Sequence, residues 1–410
     1  MGKIENTAKP LMAIVMLYTL SFDSFGQHID PALAAFVQSL VAEHPRIRAA
    51  EASYRAGTAN AAAASQPLYN PELEGEWEDS SERTTTLGIS QVIDWSDKRS
   101  AHRDIGKAAQ QIISSELRAT RWAVTIELLQ ALADFQSGTE KSALSVQRAR
   151  LMRNFADLSQ RRFSAGDITQ VERALASIAA LEAEMKTASA AAMLFDARQA
   201  ILSFRPPTAS TWPSLPSSFP SIAKKPDLSL LHKLPEVNAA RLQVEKAKAN
   251  VALRQKERRP DPTIGVMGGK DGYDGLVTVS LSIPLPVRNR FKHEVSAATA
   301  DLVQAQELAD NALLQSKARW VSRHIRYQMS LEAWQAWEKT GQESLDQQTN
   351  ELSKLWEAGE ISTTDYLVQL RQTLDVQDSA LDLKRMLWDA WFEWLLASGQ
   401  IENWLKGATG

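Results

Sequence analysis

The chain has 410 residues, 44% of them hydrophobic and 23% charged, with 46 Lys and Arg against 49 Asp and Glu for a net charge of −3. That length can bury a sizeable core, and the absence of a basic excess excludes a nucleic-acid partner, whose phosphates would need neutralising. Cysteine is absent, which excludes a disulfide framework and a thiolate metal site.

Lys3 and Lys9 flank the start of an apolar run from Leu11 to Phe22. About a dozen residues fall short of the ~20 needed to span a bilayer as a helix. They suit the apolar centre of a signal peptide over residues 1–26, with Ser24 and Gly26 ahead of a cut before Gln27. The other reading is the buried start of an amphipathic helix. No Cys follows the cut, so no lipid-anchored lipoprotein is expected. No other run approaches membrane-helix length, so a chain that crosses a membrane must do so by strands.

A first repeat is read over 27–204. Asp30 to about Gln66 has a helical pattern with an Ala-rich second half, broken by Pro67 to Pro71. Glu72, Glu74, Glu76 and Glu78 then alternate with Leu73, Gly75 and Trp77, and this period of two marks a strand. After the polar turn Asp79-Ser80-Ser81-Glu82, alternation resumes from Thr86 to Trp95, so a hairpin is expected at about 71–95. From Lys98 to Phe163, Ile105, Ile112, Ala119, Ile126 and Ala133 recur every seven residues, as do Leu144, Leu151 and Leu158. Sustained heptads indicate a coiled-coil seam. A turn at about 164–168, Ala165-Gly166-Asp167, sets Gly at one helix end and an acid at the start of the next. The following helix, to about Phe204, carries Val171, Ile178, Met185 and Ala192 at the same spacing.

Residues 205–232 hold Pro206, Pro207, Pro213, Pro216, Pro220 and Pro226, a non-helical connection. The order then restarts over 233–400. Leu234-Pro235-Glu236-Val237 echoes His44-Pro45-Arg46-Ile47, and a second hairpin is read at about 262–286 with its turn in Lys270 to Gly275. Val277, Val279, Leu281, Ile283 and Leu285 lie on one face of its second strand; Leu276, Thr278, Ser280 and Ser282 lie on the other. Ala358-Gly359-Glu360, in a turn at about 357–361, matches Ala165-Gly166-Asp167, and the last helix repeats Leu367, Leu374, Leu381, Trp388 and Leu395. The near-constant offset means that one unit has been duplicated, with 401–410 left as a tail.

Each unit is helix, hairpin, long helix, tight turn, helix. A middle helix of roughly 65 residues is about 95 Å long and matches the two outer helices laid end to end. The tight turn therefore lies far from the hairpin. Four strands cannot close a barrel, since membrane barrels begin at about eight, so the free edges call for closure between chains. Three chains would give twelve strands, although this argument alone does not select three.

No catalytic constellation is visible. His28, His44, His102, His232, His293 and His324 are scattered without ligand spacing, and Gly265, Gly268, Gly269 and Gly272 lack a following phosphate-loop lysine. The reading is therefore no enzyme, no cofactor and no resident metal. In a barrel, Glu72, Glu74, Glu76 and Glu78 would face the lumen and favour cations; in water they would be an ordinary solvated strand face. Leu73, Trp77, Val277, Val279, Leu281 and Ile283 would face lipid, and Trp77, Trp95 and Tyr273 would suit interfacial girdles.

The duplication, the two Ala-Gly-acid turns and the phrases Pro260-Asp261-Pro262-Thr263 and Ser282-Ile283-Pro284-Leu285-Pro286 resemble the TolC-type outer-membrane efflux proteins. The proline-rich phrase, with Arg288-Asn289-Arg290, is most similar to the CzcC-like branch serving heavy-metal efflux pumps. The resemblance implies a mainly α fold with a small β part: a homotrimeric α-barrel tunnel in the periplasm continued by a shared twelve-stranded barrel in outer-membrane lipid. It also implies a periplasmic adaptor docked at Ala165, Gly166, Asp167, Ala358, Gly359 and Glu360, and an inner-membrane RND pump beyond it. The Pro-rich connection would join a girdle around the rod. A periplasmic gate is implied at Asp365, assisted by its duplicate Glu172, although the family's next acidic position is Val368 here. The expected function is a passive exit duct for heavy-metal cations. Organic drug efflux or type I protein secretion through the same duct, and a soluble coiled-coil scaffold, are the alternatives.

Overall fold

A computed structural model describes residues 29–79, 83–207, 212–223 and 227–407. The expected signal peptide, the tip of the first hairpin at Ser80 to Glu82, Pro226 and residues 408–410 lie outside the described residues.

Helix α1 spans Pro31–Glu43 and α2 spans Pro45–Ala64. The sequence pattern reads as one helix here, and proline chemistry divides it. His44 precedes Pro45 and is held extended, at φ −65° and ψ 134°, because the proline ring disfavours helical backbone in the residue before it. Strands β1 (Glu72–Asp79) and β2 (Arg83–Val92) form the first hairpin. Helix α3 (Lys98–Ala165) follows, and its 68 residues make a rod of about 100 Å. Helix α4 is Gln170–Leu202, and a 3-10 turn at Leu228–Lys233 leads into α5 (Pro235–Glu257). The second hairpin is β3 (Thr263–Asp271) and β4 (Asp274–Ser282), followed by α6 (Lys292–Glu357), α7 (Thr363–Ser398) and the short α8 (Ile401–Leu405).

The second hairpin closes more tightly than its six-residue turn signal suggests. Only Gly272 and Tyr273 separate the paired residues Asp271 and Asp274. Gly272 sits at φ 61°, the first central position of a primed hairpin turn, where glycine is favoured. The strands form one antiparallel sheet in the order β1-β2-β3-β4, so the two hairpins join through β2 and β3.

Helix α3 runs beside α2 and then α4, α6 runs beside α5 and then α7, and α3 also packs on α5 and α7. The repeats are thus joined along α3. Small residues bring α2 and α3 together: a Cβ on Gly57 would lie 2.6 Å from Ile113 Cδ1, and one on Gly106 2.8 Å from Ala64 Cβ. Two cores result. The larger surrounds the middle of the rod and takes in Leu33, Val37, Leu128, Leu129, Tyr327, Trp391 and Phe392, together with Leu215 from the Pro-rich connection. Phe219 of that connection lies 4.7 Å from the Trp388 ring, and the Tyr327 hydroxyl donates to Pro220 O at 2.5 Å. The segment expected as a tail belongs to this core as well, since Ile401 and Trp404 are each 1% exposed. The smaller core lies near the tight turns and contains Met152, Phe155, Trp356, Tyr366, Leu367 and Leu370.

Candidate functional site

The sheet separates two surfaces by register alone. Leu73 pairs with Ile89, Ile89 with Val266, and Val266 with Val279. Paired residues share a face, so these four form one apolar row, and all are exposed. The row through Gly75, Leu87, Gly268 and Val277 lies beside it, as does that of Gln91, Ile264 and Leu281. Trp77, 66% exposed, is on this face toward the turn end. The opposite face carries Glu72, Ser90, Gly265 and Ser280, then Glu74, Gly88, Met267 and Thr278. Thr86, Gly88 and Ser90 are buried there, so the polar face is the concave one. Glycine permits the curl, because a Cβ on Gly88 would run into Met267 and Val266 O, and one on Gly269 into Thr85 O. Glu74 accepts a hydrogen bond from Ser90, while Glu72, Glu76 and Glu78 are exposed. Ile283 lies one residue past the end of β4 and is exposed.

Below the sheet, residues far apart in sequence tie the repeats together. The Lys98 ammonium lies 2.8 Å from the Asp261 carboxylate, with side-chain exposures of 11% and 4%. Tyr69 donates to the same carboxylate oxygen at 2.7 Å. Burial, then that hydrogen bond, pushes the Tyr69 phenol up to about 12. Asp94 accepts from the backbone N–H groups of Lys98 and Arg99, each at 2.8 Å, and so caps α3 from three residues before Asp97. Sequence reasoning placed Asp94 in the first hairpin segment and quoted Asp261 only in the phrase Pro260-Asp261-Pro262-Thr263, without these roles; the partners of Asp261 lie 163 and 192 residues away, whereas the Asp94 cap is local.

At the far end of the rod both turns adopt one geometry. Gly166 and Gly359 have φ of 87° and 77°. Asp167 N–H donates to Arg162 O, and Glu360 N–H to Leu355 O, both at 2.9 Å, so each helix ends in a glycine-based C-cap. The next helix starts on a side-chain cap. Thr169 and Glu172 form a reciprocal capping box, and Ser362 accepts from Asp365 N–H at 3.0 Å while donating to the Asp365 carboxylate at 2.7 Å. The two acids expected at a gate therefore also fix the start of α4 and α7, a role legible in the Thr-x-x-Glu and Ser-x-x-Asp spacing. The tips are joined by Arg162, whose guanidinium donates to Trp356 O and Glu357 O at 3.1 and 3.0 Å and sits 4.6 Å from the Trp356 ring centroid. Sequence reasoning missed Arg162, because no local pattern announces a partner 194 residues away.

Among the described residues, no helix is long and apolar enough to cross a membrane, and no group of three or more His, Asp or Glu is placed to hold a metal ion.

The sequence profile of the outer membrane efflux proteins matches residues 36–204 and 229–399, the two repeats in turn. The chain belongs to this family. It is an outer-membrane efflux channel component, not an enzyme, with its helices in the periplasm, and the family works in tripartite systems with an adaptor and a pump. Among characterised proteins, the channel is 24% identical over 310 residues to the cobalt-zinc-cadmium resistance protein CzcC of Cupriavidus metallidurans, covering 73% of this chain and 74% of that one. Its fold is similar to that of the outer-membrane channel OprN, with a TM-score of 0.78, 15% identity and 90% of each chain covered. It is also similar to VceC of Vibrio cholerae, with a TM-score of 0.75, 16% identity, and 90% of this chain and 96% of that one covered.

Proposed function

We propose that three copies of this chain form the exit duct of a tripartite RND-type system that expels heavy-metal cations. The observation that carries this reading is the sheet: its convex face is apolar, its concave face is acidic, and β1 and β4 are bare edges. Closing three such sheets removes every edge, sets Leu73, Trp77, Val277, Val279, Leu281 and Ile283 against lipid, and lines the lumen with Glu72, Glu74, Glu76 and Glu78. An exposed apolar stripe on α4, Val171, Ile178 and Met185, supplies the matching need for a neighbour along the rod. The metal cargo rests on the likeness to CzcC, which is described as a cobalt-zinc-cadmium resistance protein, and on the cation preference of a carboxylate-lined pore.

The remaining assignments combine the duplication, the N-terminal charge and apolar pattern, and the family resemblance. Residues 27–204 and 233–400 are the two repeats, 205–232 the equatorial connection, and 1–26 an export signal. The turns Ala165-Gly166-Asp167 and Ala358-Gly359-Glu360 dock the adaptor, and Asp365 narrows the periplasmic mouth with Glu172 beside it. The test has two parts. Deleting the gene should sensitise cells to cobalt, zinc or cadmium, and unchanged metal tolerance with new drug sensitivity would reassign the cargo. In single-channel recordings, Glu→Gln changes at 72, 74, 76 and 78 should lower cation preference. Unchanged reversal potentials would remove these residues from the selectivity argument.

A further inference from the structure

The duplication carries more than the need for a neighbour. Within one chain, the second strand of the first hairpin pairs with the first strand of the second hairpin. At a subunit seam the same relation would join β4 of one copy to β1 of the next, and the internal pairing then supplies the register. Pro71 precedes β1 as Pro262 precedes β3, so Glu72 corresponds to Thr263. Glu72 pairs with Ser90, and Thr263 with Ser282, so Ser90 corresponds to Ser282. The observed pairs Ser90 with Gly265, Gly88 with Met267 and Thr86 with Gly269 can therefore be moved onto the seam.

We infer that the copies join with Ser282 opposite Glu74 of the partner subunit, Ser280 opposite Glu76 of the partner subunit, and Thr278 opposite Glu78 of the partner subunit. This rests on the trimer reading given above and adds a specific register to it.

Three independent features agree with this register. First, it conserves the faces: hydroxyl residues of β4 meet the acidic face of β1, and Val279 meets Trp77 of the partner subunit on the apolar side. A slip of one residue would place carboxylates on the apolar face. Second, each of the three carboxylates gains a hydroxyl donor across the seam, as Glu74 already has Ser90 within the chain. Third, the geometry closes. A path across the sheet from Glu72 runs through Ser90, Gly265 and Ser280 and arrives at Glu76 of the next copy, about four residues higher over four strands. With a rise of ~3.4 Å per residue and a strand spacing of ~4.8 Å, that is a tilt of about 35°. A register two residues lower gives about 20°, well below the ~35–45° of outer-membrane barrels, and one two residues higher gives about 47°, at the upper limit of that range, so the internal pairing decides between the upper two. The interior hydrogen bond from Ile93 N–H to Pro262 O likewise becomes one from Leu285 N–H to Pro71 O of the partner subunit, extending the seam to the foot of the barrel.

The chain contains no cysteine, so paired cysteines report on this seam without background. Directly opposed residues in antiparallel strands have Cα atoms ~4.5–5.5 Å apart, within the range a disulfide spans. The full-length protein in outer membranes would carry Ser280→Cys with Glu74→Cys, Glu76→Cys or Glu78→Cys, and be oxidised and run on non-reducing gels. Ile89→Cys with Val266→Cys, an opposed pair within one chain, controls for oxidation and folding. The expected result is covalent trimers from the Glu76→Cys combination, at least tenfold above the other two. Strongest linkage through position 74 or 78 would overturn the register while leaving the trimer. So would trimers by native mass that link at none of the three. A monomeric mass with the control disulfide formed would instead overturn the trimer reading and the seam with it.

Discussion

The two repeats share one plan but bury different sides of their last helices. In α7, Leu367 and Leu374 are each 6% exposed and Leu395 is fully buried, so its heptad seam closes within the chain. In α4, Val171, Ile178 and Met185 are 67%, 57% and 67% exposed. With Gly166 matched to Gly359, those three positions correspond in α7 to Thr364, Arg371 and Asp378. Arg371 pairs with Glu182 at 2.6 Å, and further ion pairs bind α7 to α3: Arg385 to Asp134 at 2.5 Å, Lys384 to Glu140 at 2.7 Å and Lys141 to Asp382 at 2.5 Å. The lesson is that a heptad shows a helix wants a partner without saying which chain provides it. The second repeat finds its partner in the first. The first has an apolar stripe left exposed by its own chain, the surface that the proposed trimer would cover.

The largest effects are expected where the repeats are most alike. Both tip glycines have positive φ, and a Cβ at either would meet nothing within 4 Å. Bulky substitution there strains the backbone by roughly 1–2 kcal/mol and places a side chain on the outer surface of the turn. Gly166→Leu and Gly359→Leu should each abolish export while leaving trimers intact on native gels. Loss from only one of them would mean that the repeats dock unequally, and wild-type export from both would remove the tips from adaptor docking. At the other end the repeats differ. Lys98 and Asp261 form a buried pair, but the corresponding residues, Arg290 and Asn70, are exposed. Lys98→Met removes the counter-charge of the buried Asp261 carboxylate and leaves it only the Tyr69 hydroxyl, which should cost about 3–5 kcal/mol, read as a lower melting temperature of the detergent-solubilised protein. Lys98→Met with Asp261→Asn should recover most of that loss; no recovery would mean that packing, not charge, holds the junction.

Much of this was legible in the sequence because two periods dominate it. Alternation over Glu72 to Glu78 and Val277 to Ile283 gave both sheet faces, and the restart at Leu234-Pro235 gave the duplication. What stayed hidden depends on three-dimensional register. Arg162 reaching the end of α6, Tyr69 and Lys98 meeting on Asp261, and α8 entering the core all join residues that no local pattern relates. The His44-Pro45 break was visible as a dipeptide but was overridden by the helical pattern on either side. The acids at 172 and 365 were singled out through family resemblance, whereas their capping geometry was readable from spacing alone.

The difference between α4 and α7 can be sharpened directly. Leu370 is fully buried, and Leu370→Ala should cost about 2–5 kcal/mol through the cavity it leaves, lowering the melting temperature of the isolated chain. Ile178→Ala should leave that chain's melting unchanged and weaken trimer assembly instead. If both act on the monomer, the Ile178 stripe of α4 is packed within the chain and the comparison fails.

The smallest effect concerns the start of the two units. His44 Nδ1 accepts from Arg46 N–H at 3.2 Å and caps α2, whereas its counterpart Leu234 makes no side-chain cap and is buried instead. Burial, then the positive charge of Arg46, lowers the His44 pKa, with Glu127 opposing. The folded chain therefore holds His44 neutral, as an acceptor must be. Its contribution is complete above the unfolded value of about 6.5 and is lost as pH falls through the lower folded value. An N-cap is worth about 0.5–2 kcal/mol, so the melting temperature should drop modestly between pH 7 and pH 5. His44→Asn keeps an acceptor that does not titrate and should flatten that drop. An equal drop in the variant would show that the first unit, like the second, starts on packing alone.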